Sequence, residues 1–223
     1  STIPPLLLHN FEQVASPTPG VMMSAWIAEP GFRAGRVWYR LEPAQRPDGG
    51  RALHLHYRFA PDAVSDIGWQ LTLPNLDATA YDHLEFWIRG DDRAGFADAI
   101  KIEFKQPLPN APPGLLRQGS AEVTGITSDW QRIRVPLNLM NGIADWRHLR
   151  QFGIVLQPRR SPAASGAYWL DDITLIKTGQ PGPSIRDPVI PPRKTAWENS
   201  VGSKAAAQPQ IRARLAGWPE RLL

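Results

Sequence analysis

The chain contains no cysteine among its 223 residues, which excludes disulfides, zinc–thiolate sites and a thiol nucleophile. No apolar run approaches the roughly 18 residues that a membrane-spanning helix needs. The surplus of 25 basic over 21 acidic residues is small, and the arginines are scattered rather than gathered into a basic block. The sequence therefore predicts no membrane span and no nucleic-acid partner.

Motifs of the common catalytic sites are also missing. The chain has no GxSxG nucleophile elbow, no GxGxxG loop and no Walker phosphate loop. Asp91 and Asp92, or Glu103, could serve as the acids of a glycosidase, but an Asp pair directly after Gly90 is first of all a turn signal. A small stand-alone glycan-active enzyme that uses these carboxylates stays an alternative.

Short segments of alternating apolar and polar residues fill residues 6–177, separated by Pro, Gly, Asp and Asn. AIKIEFK (99–105) is the clearest example, because its apolar side chains fall on one face of a strand and its charged ones on the other. Ten such segments, with no convincing helix before residue 178, predict an all-β chain. The pattern favours an antiparallel sandwich or barrel with a single core.

The composition changes after Lys177. TGQPGPSIRDPVIPPRK (178–194) contains five prolines in 17 residues, which predicts a linker without regular structure. A short helical piece is predicted around residues 210–216, and the final ERLL has no stop signal. The prediction is a β-sandwich domain over 1–177 and a Pro-rich extension with a short helix over 178–223, leading to a missing downstream domain.

Two adjacent aspartates interrupt an otherwise apolar strand, GAYWLDDITL (166–175). Since neighbouring side chains of a strand point to opposite faces, Asp171 or Asp172 lies among apolar residues and needs a cation, N–H donors or a metal. Glu12 ends the first strand, and the first and last strands of a sandwich are commonly neighbours, so Glu12 and Asp172 are expected to converge.

A hard divalent cation such as Ca²⁺ relieves the repulsion between converging carboxylates. Asp48, in the turn QRPDGG (45–50), and loop carbonyls are the nearest candidates for the remaining oxygen ligands. The alternative is a solvated Asp171 and an Asp172 that accepts backbone N–H groups. His54 and His56 have a spacing that can bind zinc, but no third ligand is identifiable, and the favoured interpretation is two polar-face residues.

Trp87 lies on the polar face of HLEFWIRG (83–90), between Glu85 and Arg89. An indole among hydrogen-bonding groups fits a sugar-binding platform, because the ring covers the C–H face of a pyranose while the polar groups bind its hydroxyls. The alternative is that a loop or the second sheet covers Trp87.

Five segments together, in their order and spacing, resemble the galactose-binding-like β-sandwich domains. They are LHNFE (8–12), YDHLEFWIRGD (81–91), WQRIRVPL (130–137), FGIVL (152–156) and YWLDDITL (168–175). The chain is most similar to carbohydrate-binding modules of the family-eleven type and to the related complex I intermediate-associated domain. The resemblance implies a jelly-roll sandwich of two antiparallel sheets with one concave face for a glycan. It also implies a structural Ca²⁺ at Glu12 and Asp172, to which Asp48 is added as a further ligand.

Strand alternation then selects the polar and aromatic residues expected on the concave sheet. The predicted carbohydrate-binding residues are Trp87, Arg89, Glu103, Lys105, His54 and Gln157. The tail AQPQIRARLAGWPERLL (207–223) resembles the lead-in to the catalytic domain of a bacterial glucoamylase-like or glucan hydrolase.

The expected function is that of a non-catalytic carbohydrate-binding module, which attaches to a β-glucan-like polysaccharide and targets a tethered glycoside hydrolase. The expected location is secreted or periplasmic, with a signal peptide removed. A protein-interaction or assembly domain of the same fold is the other alternative.

Overall fold

A computed structural model describes residues 3–28, 34–44, 46, 49–108, 111–112, 114–159, 161 and 163–179, and the backbone of residues 210–213. The described residues form twelve strands and one 3-10 turn (Leu137–Leu139). The strands are β1 (Leu6–His9), β2 (Met22–Ile27), β3 (Gly35–Pro43), β4 (Arg51–Phe59), β5 (Ile67–Leu76), β6 (His83–Gly90), β7 (Ala99–Pro107), β8 (Leu116–Thr124), β9 (Gln131–Pro136), β10 (Leu149–Leu156), β11 (Ser165–Ile176) and β12 (Gln210–Ala213).

The strands form two antiparallel six-stranded sheets. Sheet I has the order β3-β4-β11-β6-β9, with β1 paired to β11, and sheet II has the order β12-β8-β7-β10-β5-β2. The pairing of β1 with β11 confirms that the first and last strands of the sandwich are neighbours. This architecture confirms the predicted all-β jelly-roll sandwich. None of the described residues belongs to a helix long and apolar enough to cross a membrane.

The core lies between the two sheets and is built from the apolar faces that alternation predicts. Each fully buried Leu, Ile or Phe stabilises the fold by about 1.5–3 kcal/mol relative to an exposed side chain. Sheet I contributes Leu53, Leu55, Tyr57, Leu84, Phe86 and Ile88, and sheet II contributes Trp69, Leu71, Ile102, Phe104, Phe152 and Ile154. Because these side chains occupy one face of each sheet, the opposite faces are left to carry function.

Two elements differ from the prediction. Strand β2 is absent from the prediction, because its sequence MMSAWI lacks a clean period-two pattern; it forms an edge of sheet II. The predicted helix around residues 210–216 is wrong for residues 210–213, which form β12 against β8. The edge of β8 offers unpaired backbone N–H and C=O groups, and pairing with β12 satisfies them. The rest of the predicted helix and the linker 180–209 lie outside the described residues.

A β-bulge changes the phase of β11 at the two aspartates. Leu170 faces the core, and so do Ile173 and Leu175, although strict alternation predicts opposite faces for Leu170 and Ile173. The register with β6 shifts between Asp171 and Thr174, and Asp172 has a φ of 50°. Asp is one of the few non-glycine residues that adopt this backbone conformation readily. The bulge allows apolar side chains on both sides of the aspartates to face the core, while Asp171 lies on the outer face of sheet I.

Candidate functional site

The predicted carbohydrate-binding residues lie on opposite outer faces of the sandwich. His54 on β4 and Trp87 and Arg89 on β6 point outward from sheet I, whereas Glu103 and Lys105 on β7 point outward from sheet II. Gln157 directly follows β10 of sheet II, and its amide donates to Asp66 Oδ2 at 3.1 Å. The expectation that all of them share one concave face is therefore wrong, because alternation distinguishes inward from outward positions but does not assign a strand to a sheet.

The outer face of sheet I is covered by rings and cations that contact one another. His54 stacks on Trp169 with ring centres 3.8 Å apart. Its Nδ1 lies 2.8 Å from Glu42 Oε2, and its Nε2 lies 2.8 Å from Asp91 Oδ2. Both nitrogens of His54 are thus engaged, and the described residues contain no group of three or more His, Cys, Asp or Glu that could hold a metal ion. The geometry supports the polar-face interpretation of His54 and His56 over a zinc site.

Guanidinium groups cover the aromatic rings of this same face. The guanidinium carbon of Arg46 lies 4.8 Å from the Trp87 ring centre, and that of Arg132 lies 5.8 Å from it. Arg89 lies 5.2 Å from the centre of Trp169. Trp87 and Trp169 are therefore engaged in cation–π contacts within this face. A sugar-binding role for Trp87, Arg89 and His54 stays a prediction.

A pocket of about 590 Å³ opens on the outer face of sheet I beside His54. Asp91 belongs to its lining together with Asp92, but Asp91 Oδ1 accepts the backbone N–H groups of Arg93 and Ala94 at 2.8 and 3.2 Å. Burial acts to raise the pKa of Asp91, but these hydrogen bonds and the one from His54 outweigh it and lower the pKa. A general acid needs the opposite shift. Asp91 therefore serves the turn that its sequence position indicates.

Arg46 is the cation that accompanies the adjacent aspartates. Its Nη1 lies 2.9 Å from Asp171 Oδ2 and 3.2 Å from Asp172 Oδ2, and the backbone N–H of Asp172 donates to Asp171 Oδ1 at 2.8 Å. Burial and the charge of Asp172 nevertheless raise the pKa of Asp171 to about 7, against the opposing effect of Arg46. The buried carboxylate of β11 is thus paired with a guanidinium.

Only part of the predicted calcium site lies among the described residues. The Arg46 guanidinium bridges Asp171 and Asp172, and the charge of Glu12 also acts on Asp171. Glu12 Oε1 accepts the backbone N–H of Arg51 at 3.1 Å, and Asp48 lies outside the described residues. Calcium at Glu12, Asp172 and Asp48 stays a prediction.

The outer face of sheet II has a different character, which follows from its strand register. Its outward side chains form three rows across β2, β5, β10, β7 and β8. The first row is Trp26, Gly68, Val155, Lys101 and Glu122; the central row is Ser24, Gln70, Gly153, Glu103 and Ser120; the third row is Met22, Thr72, Gln151, Lys105 and Gln118. Two serines and a glycine make the central row the least bulky, and we call this row the polar trough.

Glu103 lies in the middle of the polar trough and is held in a fixed orientation. Its carboxylate lies 3.1 Å from Lys101 Nζ on one side and 3.1 Å from Lys105 Nζ on the other. A Cβ added to Gly153 would lie 3.5 Å from Glu103 Cγ, so the glycine leaves room for Glu103 to lie across it. Glu103 is only 4% exposed although it points away from the core. The two lysines compensate its charge and fix its oxygens as hydrogen-bond acceptors.

Trp26 supplies an aromatic ring at the β2 edge of this face. A Cβ on Gly68 would approach Trp26 Cζ2 to 2.7 Å, so the indole lies directly on the backbone of β5. Lys105 Nζ is 5.7 Å from its ring centre, and the ring is half-buried. Trp26 was not predicted as a site residue because β2 was not predicted. The structure places it opposite Gly68 on the neighbouring strand β5.

Comparison with known proteins gives no match to any protein-family model and none to a curated protein sequence. Solved structures do match. A family 11 carbohydrate-binding module from a cellulosomal cellulase of Clostridium thermocellum aligns with a TM-score of 0.60 at 17% identity, covering 79% of this chain and 96% of the module.

Two further structures have the same fold. A family 11 module from C. thermocellum in complex with a β-1,3-1,4-mixed-linked tetrasaccharide aligns with a TM-score of 0.60 at 18% identity, covering 79% of this chain and 98% of the module. A family 30 module of a cellulosomal cellulase from C. thermocellum aligns with a TM-score of 0.54 at 19% identity, covering 70% of this chain and 92% of the module. These alignments confirm that the predicted resemblance holds at the level of the fold.

Proposed function

We propose that this chain is a non-catalytic carbohydrate-binding module that holds a neutral, β-glucan-like polysaccharide along the polar trough of sheet II. The observation that carries the proposal is the central row, in which Ser24, Gln70, Glu103 and Ser120 line up around Gly153. A glucan presents hydroxyl groups along both edges of its chain. Oriented acceptors and donors on a low floor suit that pattern, since few, well-placed polar groups give a binding site its specificity.

The Trp26 indole adds the apolar part of the site. It borders the trough at the β2 edge, and its ring is held flat by Gly68. An aromatic ring packs against the C–H face of a pyranose. A sugar residue beside Ser24 would therefore meet both an aromatic surface and hydrogen-bonding groups.

The fold likeness supports the same function. One of the similar structures is a family 11 module in complex with a mixed-linked β-glucan tetrasaccharide, which shows that this architecture can hold a glucan chain in that protein. The concave shape of the binding face, inferred from the resemblance, is part of the proposal for this chain.

The surroundings of Asp91 and Glu103 support the proposal of binding without cleavage. A glycosidase needs two carboxyl groups with separate acid and base roles. Glu103 is compensated by Lys101 and Lys105, and Asp91 has a lowered pKa. The lowered pKa of Asp91 is the opposite of the shift that a general acid needs.

The biological role in this proposal is the targeting of a tethered glycoside hydrolase, in a secreted or periplasmic protein. Tethering raises the local concentration of substrate at the catalytic domain. Unaided affinities of micromolar to millimolar, or about −8 to −4 kcal/mol, are sufficient for that role.

Calcium is kept as a separate proposal. Binding of Ca²⁺ at Glu12 and Asp172 requires the Arg46 guanidinium to leave Asp172 and the turn that contains Asp48 to supply oxygen ligands. The glycan proposal does not depend on the metal, because the trough lies on the other sheet.

Affinity electrophoresis in native gels that contain mixed-linkage β-1,3-1,4-glucan tests the proposed function. We expect the glucan to retard the wild-type chain and Trp26→Ala to abolish most of the retardation, with reducing-end assays showing no release of sugar. A folded chain that no β-glucan retards would overturn the proposal in favour of an assembly domain. Release of reducing ends would instead identify an enzyme.

A further inference from the structure

A second cavity lies at the side of the sandwich, where the edge strand β3 of sheet I faces the edge strand β2 of sheet II. It has a volume of about 700 Å³, which is within the range of small-molecule sites. Its lining residues are Ala25, Trp26, Ile27, Gly35, Arg36, Val37, Trp38 and Arg58. We call this cavity the edge pocket. It combines two indoles with two guanidinium groups, and none of its described lining residues is acidic.

Trp38 gives the edge pocket an open aromatic surface. The indole is 42% exposed, which is unusual for so large an apolar ring. The ring of His56 lies 5.2 Å away at an interplanar angle of 3°. One face of Trp38 is therefore supported by the imidazole, and the ring is held in a defined orientation.

Cations flank Trp38 along the same two strands. Arg36 and Arg58 are directly opposite each other across β3 and β4, and Trp38 is opposite His56 one outward position further on. Arg40 is the next outward residue of β3, about 6.6 Å from Trp38 along the strand at about 3.3 Å per residue. The Trp38 indole therefore has cationic side chains on both sides of it along the sheet.

We propose that the edge pocket binds an anionic pyranose, one that carries a carboxylate or a sulfate group. Trp38 and Trp26 contact the sugar ring, and Arg58 with Arg36 binds the anionic substituent. Guanidinium groups suit this task because they donate paired hydrogen bonds to planar or tetrahedral oxyanions. The edge pocket extends the proposed function from neutral to acidic glycans. It does not require the polar trough, although Trp26 borders both sites.

Affinity electrophoresis and calorimetry with four probes test this site. The probes are polygalacturonate for the carboxylate, a sulfated galactan for the sulfate ester, mixed-linkage β-glucan as the neutral glycan, and double-stranded DNA as a polyanion without sugar rings accessible for stacking. We expect at least one acidic polysaccharide to bind, with an affinity that falls as salt is added. We expect Trp38→Ala and Arg58→Gln each to weaken that binding about tenfold, or about 1.4 kcal/mol, without changing the binding of neutral glucan.

Two further variants serve as controls. One tests whether acidic-glycan binding depends only on the net charge of the protein, and the other tests whether it depends on the polar trough. Arg117→Gln removes an exposed arginine from β8 of sheet II and should leave acidic-glycan binding unchanged. Gly153→Leu should impair neutral glucan binding and spare acidic-glycan binding. The two acidic probes show whether the carboxylate or the sulfate is the recognised group.

Three results would overturn the edge-pocket proposal. They are equal retardation by DNA, no retardation by either acidic polysaccharide, and acidic-glycan binding that is insensitive to Trp38→Ala. If neutral glucan still binds in any of these cases, the proposed function stands and only the edge pocket is rejected.

Discussion

The two outer faces of the sandwich use similar residue types in opposite ways. On sheet I, cations lie over Trp87, Trp130 and Trp169, so the polar and aromatic groups satisfy one another. On sheet II, a single charged cluster around Glu103 is compensated by lysines and is bordered by serines, glutamines and a glycine. The contrast shows that an aromatic-rich surface is not by itself a ligand site. Sheet II differs in having a row of small and neutral polar side chains, Ser24, Gln70, Gly153 and Ser120, on either side of its charged cluster.

The largest expected effect concerns Arg46, which joins the loop after β3 to the aspartates of sheet I. Arg46→Met removes the partner of Asp171, whose side chain is 5% exposed. Because the pKa of Asp171 is about 7 even with Arg46 present, the carboxyl group takes up a proton at neutral pH when Arg46 is lost, whereas at pH 9 it is left as an uncompensated buried charge. We therefore expect a loss of about 3–5 kcal/mol in the free energy of unfolding in urea at pH 9, and a smaller loss at pH 7. Arg132→Met is the matched control, since its 55% exposed side chain only approaches Glu85 at 3.9 Å, and it should cost less than about 1 kcal/mol. Equal losses in the two variants would contradict a structural role specific to Arg46.

The Arg46→Met variant also tests the calcium proposal. If Ca²⁺ binds at Glu12 and Asp172, it competes with the Arg46 guanidinium, so added calcium should raise the Tm of Arg46→Met more than the Tm of the wild type. A chelator should reverse the increase. A Tm that calcium and chelator leave unchanged in both proteins rejects the metal and leaves Arg46 as the sole cation of this site among the described residues.

The second largest effect concerns the polar trough. Gly153→Leu places an isobutyl group on its floor. A Cβ meets only ordinary contacts at 3.5 Å or more, but the larger group displaces Glu103, which lies across the glycine, together with the bound chain; urea unfolding of the variant checks that the fold is kept. We expect glucan affinity to fall about 100-fold, or about 2.7 kcal/mol, measured by calorimetry. Gly153→Ala is the graded control and should show a small part of this loss. An unchanged affinity in Gly153→Leu would place the glucan elsewhere.

A smaller effect is expected from His9, which supports the end of β1 in sheet I. The backbone N–H of Phe11 donates to His9 Nδ1 at 3.0 Å, and His9 Nε2 lies 3.3 Å from the carbonyl oxygen of Val14. Burial lowers the pKa of His9 below its ordinary value of 6.5, against the effect of the Val14 hydrogen bond. With the folded-state pKa lowered, the unfolded chain binds more protons, so this contribution to stability is fully present above pH 6.5 and is lost as the pH falls through the folded-state value.

Urea unfolding of the wild type and of His9→Asn across this pH range measures the effect. Asn keeps an acceptor for the Phe11 N–H group but does not titrate, so the difference in unfolding free energy between the two proteins should shrink as the pH falls from 7 to 5. A constant difference would show that His9 does not titrate separately from the rest of the protein.

The fold could be predicted largely because the core is formed by apolar residues that alternate with polar ones along each strand. Ile102 and Phe104 face inward as their spacing requires, and the resemblance of five short segments identified the sandwich. The bulge at Asp172 could not be predicted in this way, because alternation carries no signal for a register shift, and the contact that Asp172 makes is with Arg46, 126 residues away along the chain. The polar trough was missed for a related reason. Ser24, Gln70 and Ser120 come to lie in one row only through the order of strands in sheet II, and that order is set by the packing of the whole chain.

The smallest expected effect decides between the two faces. Trp87 is the residue that the sequence favours most as a sugar platform, yet Arg46 and Arg132 lie over its ring. Trp87→Ala should therefore change glucan affinity less than about twofold, or about 0.4 kcal/mol, in the same gels and titrations in which Trp26→Ala removes most of the binding. A loss in Trp87→Ala as large as that in Trp26→Ala would mean that the two guanidinium groups move away when sugar binds. The outer face of sheet I would then be the glycan-binding surface, because the trough and Trp87 lie on opposite sides of the core and cannot hold the same sugar residue.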